Sequence, residues 1–213
     1  MRPRRAGVAL AAPILLLAAA CGSQRVGVFH PAGVLAAAST AASAHQPSGV
    51  PVPFPGQVRF EFDALPAGPS EAALASRDRD FILAYYDAIY TRGKNTSYTS
   101  YIGNSGVLAS VQTAVAEHVD ANQGFAGVDK HFDTTVTQSS SQPGDMDVNY
   151  CVDEAGLRYT DTSTGQSLGN GSSPGQLYYY ESDTFAKNSH GHWNLVGMLV
   201  TPYPTGQARE CKP

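Results

Sequence analysis

The sequence predicts an α+β domain in which N-terminal helices pack on an antiparallel sheet, and two patterns of apolar residues carry this prediction. Between about residues 69 and 123, apolar residues recur every three or four positions, which is the spacing of one helical face. From Gly127 onward, apolar and polar residues alternate, which is the period of a strand. Helices followed by alternating strands, with no repeating βαβ order, are typical of α+β proteins.

Two helices account for the first pattern. The first is predicted to begin near Pro69, with Ser70 as its N-cap, and to end at Gly93, a residue common just past helix ends. The second is predicted from about Ser105 to Gln123. One face of each helix is apolar, and these faces carry Leu74, Phe81, Tyr85 and Ile89 in the first helix and Val107, Val111, Val115 and Val119 in the second.

Five strands account for the second pattern, and the last two form a hairpin across residues 188–191. In the first strand, Val128, Phe132 and Val136 alternate with polar residues that include Asp129 and His131. The predicted strands cover about 127–136, 146–152, 157–161, 177–187 and 192–201.

Residues 1–20 have the pattern of an export signal. A basic start is followed by a short apolar stretch and then by small residues, which distinguishes a signal from a membrane span. The stretch ends Leu17-Ala18-Ala19-Ala20-Cys21, which resembles a bacterial lipobox and predicts lipidation at Cys21. Ala18-Ala19-Ala20 also fits ordinary secretory cleavage, which would give a soluble secreted protein instead.

Residues 21–68 are predicted to be a tether that joins the lipid anchor to a domain over 69–213. The segment is rich in Ala, Pro, Ser and Gly, so it offers little apolar surface to offset the entropy of ordering. Prolines between residues 47 and 55 would stiffen it. An alternative for its C-terminal part is a short strand at residues 58–62, where Phe60 and Phe62 alternate with charged residues, docked on the domain.

The three cysteines are predicted to comprise one lipidated residue and one disulfide-bonded pair. If Cys21 is lipidated, Cys151 and Cys211 remain, and an exported chain places them in an oxidising compartment where a disulfide is the expected state. No residue near either cysteine is of an activating type, so a catalytic thiol is not predicted.

Three short motifs match catalytic or metal-binding patterns only in part. Residues 171–175 spell G-x-S-x-G, but a strand follows where the nucleophile elbow needs a helix. Residues 145–149 start like a calcium loop, but Tyr150 and Gly156 replace its essential Gly and Glu. His190 and His192 provide only two ligands. We therefore predict no catalytic residue, no metal site and no cofactor.

Three consecutive tyrosines, residues 178–180, provide the best lead on binding. Alternation places Tyr179 on one face of the strand, where it fits a core with Leu177 and Phe185. Tyr178 and Tyr180 then lie on the other face. Exposed tyrosines are frequent in recognition surfaces, so these two form a candidate ligand surface.

The domain resembles the ketosteroid-isomerase-like, nuclear-transport-factor-like family. The resemblance rests on the aromatic helix at Phe81–Tyr90, the valine helix at Val107–Val119 and the last hairpin with Trp193. It implies a curved, cone-like sheet. The three cysteines, with an Ala- and Arg-rich signal, are similar to those of secreted lipoproteins of actinobacteria.

The resemblance also implies a form of catalysis. In enzymes of that superfamily, a tyrosine and carboxylates inside the cone transfer protons, and Tyr85, Tyr86 and Asp133 are residues of the right type. None of them can be placed in register with a family motif, so none is assigned a role.

Together these features predict a non-catalytic lipoprotein on the outer face of the cell membrane that binds a small ligand or an envelope protein. A formal net charge of −4 argues against binding to nucleic acid. The alternative is an isomerase- or dehydratase-like enzyme. A cavity with a buried carboxyl beside a tyrosine would favour the enzyme, and an interior filled by Phe, Leu and Val would argue against it.

Overall fold

The computed structural model describes residues 57–168 and 177–212, and it shows an α+β domain. Two α-helices lie where the apolar spacing predicts them, α1 over Pro69–Tyr90 and α2 over Ser105–Asp120. A short 3₁₀ helix, Ser97–Tyr101, connects them. The described part of the chain begins after the predicted export signal, Cys21 and most of the tether.

The ends of the helices follow ordinary capping chemistry, with one correction. The N-cap of α1 is Gly68 rather than Ser70, because Pro69 fits the first turn, where no backbone N–H is needed. Asn104 caps α2 by accepting hydrogen bonds from the N–H groups of Gly106 and Val107.

A curved, unclosed sheet of six strands covers one side of the helices. Its strand order is β1-β2-β3-β5-β6, and β4 pairs with the first residues of β2. Every pairing is antiparallel except β1 with β2, which is parallel, so the prediction of a purely antiparallel sheet is wrong at this edge. The strands are β1 (Gln57–Phe62), β2 (Gln123–Gln138), β3 (Met146–Asp153), β4 (Leu157–Asp161), β5 (Tyr178–Lys187) and β6 (Trp193–Pro202).

Strand β1 belongs to the domain rather than to the predicted tether. Phe60 is 0% exposed and packs edge-on against Tyr86, with ring centroids 4.8 Å apart. The backbone of β1 pairs with residues 126–131 of β2. The folded domain therefore extends N-terminally of residue 69, because two phenylalanines at alternate positions bury enough apolar surface to order the strand.

Two irregularities in β2 determine which of its residues face the helices. A bulge between Phe132 and Thr135, with Asp133 in the left-handed region at φ 56°, reverses the side to which alternate residues point. At Gly127, φ is 112° and an added Cβ would lie 2.0 Å from the Gly156 carbonyl oxygen, so no side chain fits there.

The helices and the inner face of the sheet enclose the core, which we call the interior. Before the bulge, Asp129 and His131 face it, whereas Val128 and Phe132 are only partly buried. The apolar alternation of β2 therefore marks the outer face over this stretch. Val136 follows the bulge and packs against the core.

The C-terminus is bonded to the sheet. A 3₁₀ helix, Gly206–Glu210, brings Cys211 to Cys151 on β3, and the two sulfur atoms are 2.02 Å apart. Such a bond is typical of proteins in oxidising, extracytoplasmic compartments. Neither α-helix of the described residues is long and apolar enough to span a membrane.

Candidate site in the acidic interior

Three carboxyl groups meet in the interior, and we call them the acidic cluster. Asp78 projects from the buried face of α1, and Glu181 and Asp183 project from the inner face of β5. Each of these residues is at most 2% exposed. Asp78 and Asp183 share a hydrogen bond between their side chains, which requires that one of the two carry a proton.

Burial makes ionisation of the cluster unfavourable. It raises the pKa of Asp78 and of Glu181 well above their ordinary values, and the negative charge of Asp183 adds to the effect in both cases. Burial also raises the pKa of Asp183 to about 7, although hydrogen bonds from Asp78 and Tyr150 oppose this. At neutral pH the cluster therefore retains protons that carboxyl groups in water would have lost.

Tyr150 on β3 provides a hydroxyl donor to the cluster. Its hydroxyl lies 3.3 Å from Asp183 Oδ2 and also interacts with the Glu181 carboxyl. Burial raises the pKa of Tyr150 well above its ordinary value, and Asp183 adds to this, so the phenol stays protonated and can donate. This is a carboxyl of raised pKa beside a tyrosine.

Two further polar groups lie in the interior near the cluster. Asp129 accepts a hydrogen bond from the Tyr86 hydroxyl at 2.8 Å, and its other oxygen lies 3.2 Å from His131 Nε2. Glu154 accepts a hydrogen bond from the Tyr179 hydroxyl at 2.9 Å. These pairings give the buried carboxylates donors, which burial of a charge requires.

A cavity of about 30 Å³ connects the cluster to the surface. Its lining combines the partly exposed Ser110 and Met198 with the buried Glu181 and His131, so it extends from the domain surface to the acidic cluster. That volume holds about two water molecules. The remaining lining is Phe81, Ile82, Tyr85, Val107, Val111 and Ala114.

The tyrosines of the predicted ligand surface lie on the opposite side of the sheet. Tyr178 and Tyr180 are partly buried on the outer face of β5. The Tyr180 hydroxyl donates to Asn149 Oδ1 at 2.9 Å, and the Tyr178 ring contacts the Tyr203 ring at 6.4 Å between centroids. They therefore do not join the acidic cluster.

Of the three residues that the family resemblance suggests, two lie in the interior and one lies at the surface. Tyr85 and Tyr86 are buried in the interior, and Tyr86 binds a carboxylate there. Asp133 is exposed at the bulge of β2, so Asp129 is the aspartate of this strand that lies in the interior. Within the described residues, no group of three or more His, Cys, Asp or Glu side chains is arranged to hold a metal ion.

A signal for the acidic cluster was present in the sequence. Tyr179 and Phe185 were predicted to face the core, and alternation places Glu181 and Asp183 on the same face between them. Two carboxyl groups on a predicted core face indicate a buried polar site. Asp78 carried a comparable signal, since it lies four residues after Leu74 and three before Phe81 on the predicted apolar face of α1. No sequence pattern indicated its partners, which lie more than 100 residues away in the sequence.

Comparison with known proteins gives little further information. No protein-family model matches this chain, and no curated protein matches it. The intermembrane space region of the chloroplast protein ARC6 is 8% identical with a TM-score of 0.38, over 60% of this chain and 96% of that chain. The association domain of C. elegans CaMKII is 15% identical with a TM-score of 0.36, over 63% of this chain and 99% of that chain. TM-scores this low do not establish a shared fold or function.

Proposed function

We propose that this protein is an extracytoplasmic lipoprotein that binds a small molecule in its interior. The observation that carries the binding proposal is the cavity that ends at Glu181, whose Oε2 has no hydrogen-bond partner among the described residues. A buried polar atom without a partner costs free energy. A ligand that supplied the missing donor would recover that cost.

The proposed location rests on the sequence and on the disulfide. The predicted signal at residues 1–20 and lipidation at Cys21 would hold the domain at the outer face of the membrane. The Cys151–Cys211 bond agrees with such a compartment. The outer tyrosines, Tyr178 and Tyr180, remain a candidate contact for an envelope protein.

Blocking the cavity tests the binding proposal. Ala114 on α2 is 2% exposed and lines the cavity, so Ala114→Leu would fill the space, whereas Ala116→Leu makes the same change on the exposed face of α2. A small-molecule library is screened by thermal shift on the full-length protein, because a ligand of the native state raises its melting temperature. We expect the hits to stabilise wild type and Ala116→Leu but not Ala114→Leu. Hits that stabilise all three alike would contradict an interior site.

A second candidate function is proton transfer, and the neighbouring Tyr150 and Asp183 favour it. A carboxyl with a pKa of about 7 beside a tyrosine is the arrangement that general acid–base catalysis uses. Asp183 does not line the cavity, but the neighbouring Glu181 does. In its ionised form, Glu181 would take a proton from the α-carbon of a bound carbonyl compound and then return one to it.

Deuterium exchange tests this second function. In D₂O, wild type is expected to accelerate exchange at the α-carbon of small ketones over buffer alone, and Glu181→Gln is expected to abolish the acceleration. If wild-type protein gives only the buffer rate while the thermal-shift hits bind, the enzyme candidate is wrong and the binding function stands.

A further inference from the structure

The lining of the cavity contains two buried acid–base side chains, Glu181 and His131, which are 2% and 4% exposed. The other buried lining residues are aliphatic or aromatic, and among them Tyr85 also carries a hydroxyl group. A ligand for such a cavity has an apolar body and one polar end. The hydrogen-bonding groups of Glu181 and His131 determine which polar group fits there.

Glu181 requires a donor. Its carboxyl interacts with the Tyr150 hydroxyl, yet Oε2 has no hydrogen-bond partner among the described residues. The ionised carboxylate can only accept hydrogen bonds, and a cation bound beside it would favour this form over the protonated form that burial favours. The complementary ligand atom is therefore positively charged and bears a hydrogen.

His131 offers a second contact. Its Nε2 lies 3.2 Å from Asp129 Oδ1, yet neither of its ring nitrogens has a hydrogen-bond partner within the described ranges. A histidine nitrogen that carries no hydrogen accepts a hydrogen bond. A ligand group with at least two N–H bonds could therefore donate to Glu181 and to His131 at the same time.

The acidic side chains around the cavity favour a positively charged ligand. Asp78 and Asp183 lie beside Glu181, and Asp129 lies beside His131. No lysine or arginine is among the described residues that line the cavity, and Arg79, which lowers the pKa of Asp78, does not line it. A positive ligand would favour the ionised forms of these carboxyl groups and be attracted by them, whereas an anion would disfavour those forms. An ammonium near Glu181 would also offset the burial that raises the pKa of this carboxyl.

We propose that the interior binds a small amine, with a primary ammonium group between Glu181 and His131 and a short apolar body against the helices. This inference rests on the proposed function, namely binding of a small molecule in the interior. A cavity of about 30 Å³ limits the body to a few carbon atoms. Met198 at the rim is unbranched and flexible, so it can adapt to that body.

The test uses three probes with the same apolar chain: n-propylamine, n-propanol and propionate. Each is titrated calorimetrically into the full-length protein at neutral pH. We expect propylamine to bind at least about tenfold more tightly than the other two, since hydrogen bonds to a charged group are stronger than neutral ones. Glu181→Gln should remove at least about tenfold of the propylamine affinity.

The matched control is Glu154→Gln, which changes a second fully buried glutamate that does not line the cavity. Propylamine affinity should stay within about twofold of wild type in this variant, because the ammonium does not contact it. Equal loss in both variants, or propylamine binding that survives Glu181→Gln, would overturn the proposed contact.

The outcomes separate this inference from the function on which it rests. If propanol or propionate binds and Ala114→Leu abolishes that binding, while propylamine does not bind, the amine inference is wrong and the interior site stands. If none of the probes and no library compound binds in the interior, both are wrong. Should Glu181→Gln fail to fold, Ala114→Leu still decides, because propylamine bound in the cavity must lose its affinity in that variant.

Discussion

Replacing Asp183 by asparagine should stabilise the protein relative to wild type, and this advantage should increase as the pH rises. The substitution keeps the shape of the side chain and leaves an amide oxygen that can accept from Tyr150 and from protonated Asp78. It removes the need to bury a negative charge at a position that is 0% exposed. Isosteric removal of a poorly compensated buried charge is often stabilising.

The structure gives the expected magnitude. Burial raises the pKa of Asp183 from an ordinary value of 3.8 to about 7. Each tenfold change in the acid equilibrium is worth about 1.4 kcal/mol, so this group costs wild type about 4 kcal/mol once the pH exceeds both values. Between pH 5 and pH 8 the cost grows by about 3 kcal/mol.

The sign follows from proton binding. Because the folded state has the higher pKa, it binds more protons than the unfolded state above pH 4, and wild type loses stability as the pH rises toward the folded pKa of about 7. Asp78 and Glu181, whose pKa values are also raised, act in the same direction. Asp183→Asn removes the part of this loss that Asp183 causes, so the free energy of unfolding of the variant should decrease less with rising pH than that of wild type.

The assay is urea unfolding of wild type and Asp183→Asn at several pH values from 5 to 8. The advantage of the variant should increase by about 3 kcal/mol over this range. Asp120→Asn, which changes an exposed aspartate at the end of α2, serves as the control and should run parallel to wild type. An advantage of Asp183→Asn over wild type that stays constant from pH 5 to pH 8 within about 0.5 kcal/mol, the range of ordinary surface changes, would contradict this prediction.

Three other predictions concern the anchor, the bridge and the first strand. Cys21→Ser should release the protein from the membrane into the medium, and a variant that stays membrane-bound like wild type would exclude the lipid anchor. Replacing Cys151 and Cys211 together by serine should lower the free energy of unfolding by about 4 kcal/mol, since their bond closes a loop with a sequence separation of 60; urea unfolding without loss of stability would contradict this. Phe60→Ala should cost about 3–5 kcal/mol because the ring is fully buried, whereas Arg59→Ala on the exposed side of the same strand should change stability by less than about 1 kcal/mol.

Much of the fold could be predicted from local patterns. The valine spacing of α2 and the alternation in β5 predict the correct element and the correct buried face, because one apolar face of each element packs against the core. The limits of β4, Leu157–Asp161, agree with the sequence prediction. The same reasoning fails in β2 before its bulge, where Asp129 and His131 are buried and Val128 faces outward.

That failure has a physical cause. Period-two reasoning assumes that the core side of a strand is its apolar side. In β2 the polar side faces the interior, where Asp129 receives a hydrogen bond from Tyr86 on α1. Hydrogen bonds of this kind offset the cost of burying a polar group, and they come from residues far away in the sequence.

The sequence by itself determined the order of the predicted helices and strands and the inward faces of α1, α2 and β5. It also predicts a location outside the cytoplasm. Only the tertiary structure showed that Asp78 on α1 meets Asp183 on β5, and that Glu181 faces a cavity. Periodicity is local, since it depends on how successive side chains point around one helix or strand. A buried acidic site is non-local, because its charges, donors and cavity come from elements that only packing brings together.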